Sequence, residues 1–249
     1  AHHSIWTFRA PALRRGAAIA GMQIPGCISA RVTGLVGDAL IVEDHGVVSG
    51  AMQDFIRRRA PSLNTLVCAT APEALAALAA PGRQWVRIFL DLDVPGALGL
   101  SLVQAIKDHG YGAQCCVVSA TDREDFVTQV HALGCLGYVV KATRYEEFEA
   151  AIDRVLSGER SFPLAVRRAN LAPVRLTQRQ AEFLGFVRDG RTSKEIAASC
   201  GVSEGTVNNI VAAASHALGA STRAAAVATA VSLGLLADQA FLRHHPARA

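Results

Sequence analysis

The chain has 249 residues, of which 51% are hydrophobic and 18% charged. It can bury a core, so wholesale disorder is excluded. Its apolar runs fall well short of the ~18 residues a membrane span needs, and no fixed period repeats, which excludes solenoids and propellers. Six cysteines form no C-x-x-C pair and mostly sit inside apolar runs. They read as small buried hydrophobes in a reducing, cytoplasmic compartment, with no disulfide framework and no zinc site. The net charge of +4 is unevenly spread: residues 1–37 carry four Arg and no acid, 38–157 carry 10 basic and 15 acidic residues, and 175–249 carry eight basic and five acidic. An acidic middle followed by a basic piece points to two modules with different partners.

Residues 1–37 lack a clear period and read as a disordered extension, or as an early start with Met22 the true one. Arg14-Arg15 before GAAIAGMQIPGC faintly resembles a signal or lipoprotein sequence ending at Cys27. That apolar stretch is short and broken by Gln23 and Pro25, so export is not expected. From residue 38, short apolar runs alternate with amphipathic segments. Strands are predicted at 39–42, 66–69, 86–90, 115–119 and 136–140. Helices are predicted near 46–59, 71–80, 98–109, 122–134 and 144–157; in the last, Phe148, Ile152 and Val155 share a face. Near-continuous apolar strands separated by helices predict a doubly wound five-stranded parallel sheet over 38–157. Residues 158–174 hold two prolines and read as a linker. A small all-α domain follows at 175–236, with helices near 177–188, 193–199, 203–217 and 222–233. Thr192, Ser193 and Ser203 are candidate N-caps, and Gly190, Gly201 and Gly219 candidate stops. The tight turn at CGVS (200–203) suggests a helix-turn-helix. Residues 237–249 read as a frayed tail.

Ligands of open parallel sheets bind at the carboxyl ends of the strands. There the sequence places Glu43-Asp44, Asp91, Ser119 and Lys141. Three carboxylates at neighbouring strand ends repel one another unless a cation sits among them, and oxygen ligands favour a hard ion such as Mg²⁺. A hydroxyl and an ammonium opposite could hold phosphoryl oxygens. The chemistry implied is attack by a carboxylate on phosphorus.

VEDH (42–45), FLDLDVPGALG (89–99), VVSAT (117–121) and GYVVKAT (137–143) resemble the signature segments of a response-regulator receiver domain, a flavodoxin-like fold. The resemblance implies that Asp91 accepts a phosphoryl group from a histidine kinase. It further implies that Glu43, Asp44 and Asp91 hold Mg²⁺ with the Asp93 backbone carbonyl, that Ser119 and Lys141 bind phosphoryl oxygens, and that Tyr138 turns inward on activation. The Asp93 carboxylate reads as a solvated loop acid, with an influence on aspartyl-phosphate lifetime as the alternative. LTQRQAEFL (176–184), DGRTSKEIA (189–197), GVSEGTVNN (201–209) and ALGASTRAAAVATA (217–230) resemble the helix-turn-helix of the LuxR/NarL class. That resemblance implies a transcriptional regulator, not an enzyme, whose helix 203–217 enters the major groove of DNA as part of a homodimer. Lys194, Ser203, Thr206, Asn208, Asn209 and Arg223 are the candidate DNA contacts; Asn208 and Asn209 can read adenine through N6 and N7.

One departure stands out. The helix SEGTVNNIVAAASHA contains no Lys or Arg, although phosphate neutralisation supplies much of DNA affinity. DNA binding is therefore expected to be weak or dependent on dimerisation. The alternative is an interaction protein whose helical module meets RNA polymerase or another regulator. Ala212, Ala213, Ala214 and Ala217 are expected to pack, with Val207, Val211 and Leu218 in the core. A third reading starts from FLDLDV (89–94), which resembles the first motif of haloacid-dehalogenase-like phosphatases. There Pro95 stands where that family wants Thr or Val, and the helix-turn-helix would be unexplained.

Overall fold

A computed structural model describes residues 34–163 and 173–236. The expectations for residues 1–33, for the middle of the linker (164–172) and for the tail lie outside these residues. The first described module alternates strand and helix: β1 (Gly37–Val42), α1 (Gly46–Arg59), β2 (Leu63–Cys68), α2 (Ala71–Ala79), β3 (Trp85–Leu90), α3 (Ser101–Asp108), a 3₁₀ turn (Gly112–Gln114), β4 (Cys115–Ser119), α4 (Glu124–Ala132), β5 (Gly137–Val140) and α5 (Tyr145–Leu156). The five strands form one sheet in the order β2-β1-β3-β4-β5, with every pairing parallel.

Both sheet faces are buried, as near-continuous apolar strands require. Side chains alternate between two cores with the period of two that a pleated strand imposes. Leu40, Val42, Ile88, Leu90, Cys115 and Val117 face one core, with α2, α3 and α4. Ala39, Ile41, Phe89, Cys116, Val118 and Val139 face the other, with α1 and α5. Four of the five described cysteines are buried and all five are free thiols.

The second module holds α6 (Gln178–Arg188), α7 (Ser193–Cys200), α8 (Glu204–Ala217) and α9 (Arg223–Ser232). Each begins with a side-chain cap. Thr177 with Gln180, and Thr192 with Glu195, form reciprocal capping boxes. Ser203 caps α8 through the Thr206 amide, and Thr222 caps α9 through that of Ala225. Of the two candidates for α7, Thr192 is the cap and Ser193 is the first helical residue. Gly201 ends α7 in the left-handed conformation at φ 65°, which a Cβ disfavours. α8 packs against α6 and α7, burying Val207, Val211, Ala214 and Leu218. Ala212, Ala213 and Ala217 are instead exposed. The helix turns by about 100° per residue, and these three fall on the flank away from Val207 and Val211.

The end of α9 returns to the first module. The Leu100 amide donates to the Ser232 carbonyl at 2.8 Å. Gly99 at φ 54° makes room, because a Cβ there would overlap that carbonyl. Leu233 and Leu236 are buried in the same core cluster as Leu100.

Candidate functional site

The parallel sheet delivers the predicted polar residues to one edge. Glu43 directly follows β1, and its amide donates to Cys68 O at 3.0 Å. Asp91 directly follows β3, and its amide donates to Val42 O at 2.9 Å. Lys141 directly follows β5 and bonds to Ser119 O at 2.7 Å. The ladder thus continues one step past the strands and fixes the backbone of the site. Lys141 Nζ lies 2.7 Å from both Glu43 Oε2 and Asp91 Oδ2. Both carboxylates are almost wholly buried, at 5% and 4% exposure. Burial works against the Lys141 ammonium, but its hydrogen bonds to Asp91 and Glu43 outweigh it and hold its pKa above the ordinary value.

Glu43, Asp44, His45 and Asp91 each offer one ligand atom, all within 4.8 Å of one another. His45 did not figure among the sequence candidates. Its Nδ1 lies 2.8 Å from Asp44 Oδ1 and 3.2 Å from Glu43 Oε1. Its position immediately after Glu43-Asp44 was the available signal. The other Asp91 oxygen, Oδ1, is buried without a hydrogen-bond partner. A buried, unpartnered carboxylate oxygen costs on the order of 1–3 kcal/mol or more. This orphaned atom, with the carboxylates gathered around it, suits a divalent cation. Asp93 is exposed, with its side chain turned to solvent.

Ser119 and Tyr138 lie deeper. Ser119 is fully buried, and its hydroxyl accepts from the Thr121 amide at 3.3 Å. Tyr138 is 1% exposed, and its hydroxyl donates to the Thr121 carbonyl at 2.9 Å. Its ring already occupies the inward position. Burial pushes the phenol's pKa up.

In the helical module, Lys194, Ser203, Thr206, Asn208, Asn209 and Arg223 are all exposed. The Ser203 hydroxyl is engaged as the cap of α8 and meets Thr206 Oγ1 at 2.9 Å. Two other basic residues are occupied by aromatic rings: Arg179 over Phe183 and Arg191 over Phe186, at 5.5 and 4.7 Å.

Residues 39–153 match the response regulator receiver domain, and residues 174–230 match the bacterial regulatory proteins of the luxR family. The Mycobacterium tuberculosis protein named as a probable transcriptional regulatory protein, NarL, is 32% identical over 157 residues, covering 59% of this chain and 72% of its own. The chain belongs to the NarL/LuxR family of response regulators. It is a transcriptional response regulator with a receiver and a LuxR-type DNA-binding domain, and the family is not one of enzymes. Transcriptional regulatory protein DesR of Bacillus subtilis is 27% identical over 72% of this chain and 80% of its own length. In fold, this regulator is similar to RcsB from Salmonella enterica serovar Typhimurium, solved bound to promoter P1flhDC in the presence of phosphomimetic BeF3-. The TM-score is 0.54 at 20% identity, covering 79% of this chain and 98% of that one. Among the described residues no helix is long and apolar enough to cross a membrane.

Proposed function

We propose that Asp91 is the phosphoryl acceptor of this response regulator, and that its modification by a histidine kinase controls DNA binding by residues 175–236. The observation that carries the reading is the Asp91 carboxylate itself. One oxygen is held by Lys141 at 2.7 Å and the other is buried and unpartnered. In the transfer, an Asp91 oxygen forms a bond to phosphorus as the bond from phosphorus to the donor imidazole nitrogen breaks, and the electron pair of that bond leaves with the imidazole. Lys141 Nζ and Ser119 Oγ receive the phosphoryl oxygens. The side chains of Glu43, Asp44 and Asp91, with the Asp93 backbone carbonyl, would hold Mg²⁺. When bound, the ion would supply neutralising charge for the transferred phosphoryl oxygens.

The division into a receiver at 38–157, a linker at 158–174 and a DNA-binding module at 175–236 fits this role, as does a cytoplasmic location. Phosphorylation shifts a pre-existing equilibrium toward a dimer whose two helical modules meet paired half-sites. The test is DNA binding, by fluorescence anisotropy against a selected sequence pool, before and after treatment with acetyl phosphate and Mg²⁺. Binding that strengthens on treatment in wild type but not in Asp91→Asn is the expected result. No binding at low salt in either state would favour the interaction-protein alternative, which the Lys- and Arg-free helix 203–217 makes the second reading.

A further inference from the structure

The helix expected to meet DNA has no cation of its own, yet the fold brings one to it. Arg223, the first residue of α9, reaches across to α7 and α8. Its Nη1 donates to Ser193 Oγ at 2.9 Å and its Nη2 to Asn208 Oδ1 at 2.7 Å. Ser193 Oγ in turn donates to Asn208 Oδ1 at 2.8 Å. Three residues from three helices therefore close a ring of three hydrogen bonds.

The ring also fixes the Asn208 amide. A guanidinium has five donors and no acceptor, so the Asn208 atom facing it is the oxygen. That oxygen receives two hydrogen bonds, which fills its two lone pairs. What Asn208 can offer a ligand is its amino group. Reading adenine through N6 and N7 needs both ends of the amide, so this state does not permit the pairing expected of Asn208 from the sequence. Guanine O6 and N7, or thymine O4, are acceptors that an amino group alone can meet. Arg223 gains as well, since a guanidinium already ordered on an exposed surface loses less side-chain freedom on binding.

We propose that Arg223 is the cation with which this surface meets a DNA phosphate, that Ser193 and Asn208 are the positioning residues that hold it, and that Asn208 addresses a base only as a donor. The proposal rests on the reading of the helical module as a DNA binder.

The experiment uses the full chain, treated with acetyl phosphate and Mg²⁺, and oligonucleotides recovered from a random pool by the wild type. Affinity is measured by anisotropy across a salt series. Arg223→Gln lowers the magnitude of the log–log salt slope by about 0.9 per protomer, the value of one phosphate contact. Arg223→Lys keeps the slope but binds more weakly, since a point charge cannot replace the fork. Asn208→Ala also keeps the slope and weakens binding, on the order of tenfold. Adding Arg223→Gln to Asn208→Ala then costs less than it does alone, because the two act as a unit. Reselection with Asn208→Ala loses a guanine or thymine preference at one position.

A network that merely staples three helices would also weaken binding and give non-additivity, but it leaves the salt slope and the base preference unchanged. All three side chains lie at or near the surface, and thermal melting checks that each variant is folded. An unchanged slope in Arg223→Gln, strict additivity in the double variant, or loss of an adenine preference overturns the inference alone. A wild type that binds no pool sequence at low salt overturns the DNA-binding reading and this inference with it.

Discussion

Ser119 and Tyr138 grip the same residue from opposite ends: the Ser119 hydroxyl accepts from the Thr121 amide, and the Tyr138 hydroxyl donates to the Thr121 carbonyl. The β4–α4 loop is thereby tied both to the end of β4 and to a buried ring on β5. Under the proposed function, movement of Ser119 toward a phosphoryl group would pull on the residue that bonds the Tyr138 hydroxyl. Tyr138→Phe keeps the ring and removes the loop bond, costing about 0.5–1.5 kcal/mol of stability. Tyr138→Ala empties a fully buried site and costs about 3–5 kcal/mol, the range for a large aromatic in a core. Urea denaturation of the two variants separates these amounts.

Alkaline pH tests the same residue together with Lys141. The folded state raises both pKa values, from 10.0 for Tyr138 and 10.5 for Lys141. A proton held more tightly in the folded state stabilises it fully below the unfolded pKa, and the stabilisation fades as pH rises through the folded value. The contribution of these two groups is therefore expected to hold from neutral pH to about pH 10 and to fade beyond it, while the buried Cys68, Cys115 and Cys116 thiols, raised from 9.0, begin the fall earlier. Urea midpoints measured against pH should show a shallower fall above about pH 10 in Tyr138→Phe, which lacks the phenol proton.

Much of the fold is written in the apolar pattern. All five strands and the helices between them are foreseen, because runs such as VRIFL and CCVVS are buried on both faces and carry little else. The misplacements have local causes. β2 begins at Leu63, not 66, because it is the edge strand, and its Asn64 and Thr65 are polar where no core demands otherwise. α3 begins at Ser101, not 98, because Gly99 is held left-handed against the helical module and the Leu98 amide bonds the Ser101 hydroxyl. The acidic site is legible because its members follow strand ends. His45 is missed although its partners, Glu43 and Asp44, are its immediate neighbours, whereas the tie from Ser193 to Asn208 and Arg223 is set by how three helices meet in space.

Gly99 offers a test of the contact between the modules. Gly99→Ala places a Cβ against the Ser232 carbonyl and also carries a left-handed backbone penalty of about 1 kcal/mol. Gly110, at φ 87° with open space around it, carries the penalty alone. Limited proteolysis in the linker should therefore accelerate in Gly99→Ala and stay near the wild-type rate in Gly110→Ala. Equal rates in the two variants would show that the backbone penalty, and not the lost Leu100–Ser232 contact, governs exposure of the linker.

The caps of the helical module predict a smaller effect. Thr192 accepts from the Glu195 amide while the Glu195 carboxylate receives the Thr192 amide and hydroxyl. Thr192→Ala should cost about 1 kcal/mol, read as a lower melting temperature. Those hydrogen bonds from Thr192 hold the Glu195 pKa below the ordinary carboxylate value. Its contribution is present above the unfolded pKa of 4.5 and fades as pH falls through the folded one.

Divalent cation binding provides a further check. A ligand that binds only the folded state stabilises it by mass action, about 2.7 kcal/mol at a hundredfold excess over Kd. Millimolar Mg²⁺ should raise the melting temperature of the wild type, and do so much less in Glu43→Gln or Asp91→Asn.

The central claim is that Asp91 carries the phosphoryl group, and intact-mass spectrometry after treatment with acetyl phosphate and Mg²⁺ tests it most directly. One added phosphoryl group per chain in the wild type, absent from Asp91→Asn, is the predicted result. Equal phosphorylation of Asp91→Asn, or none in a folded wild type that binds Mg²⁺, would contradict it.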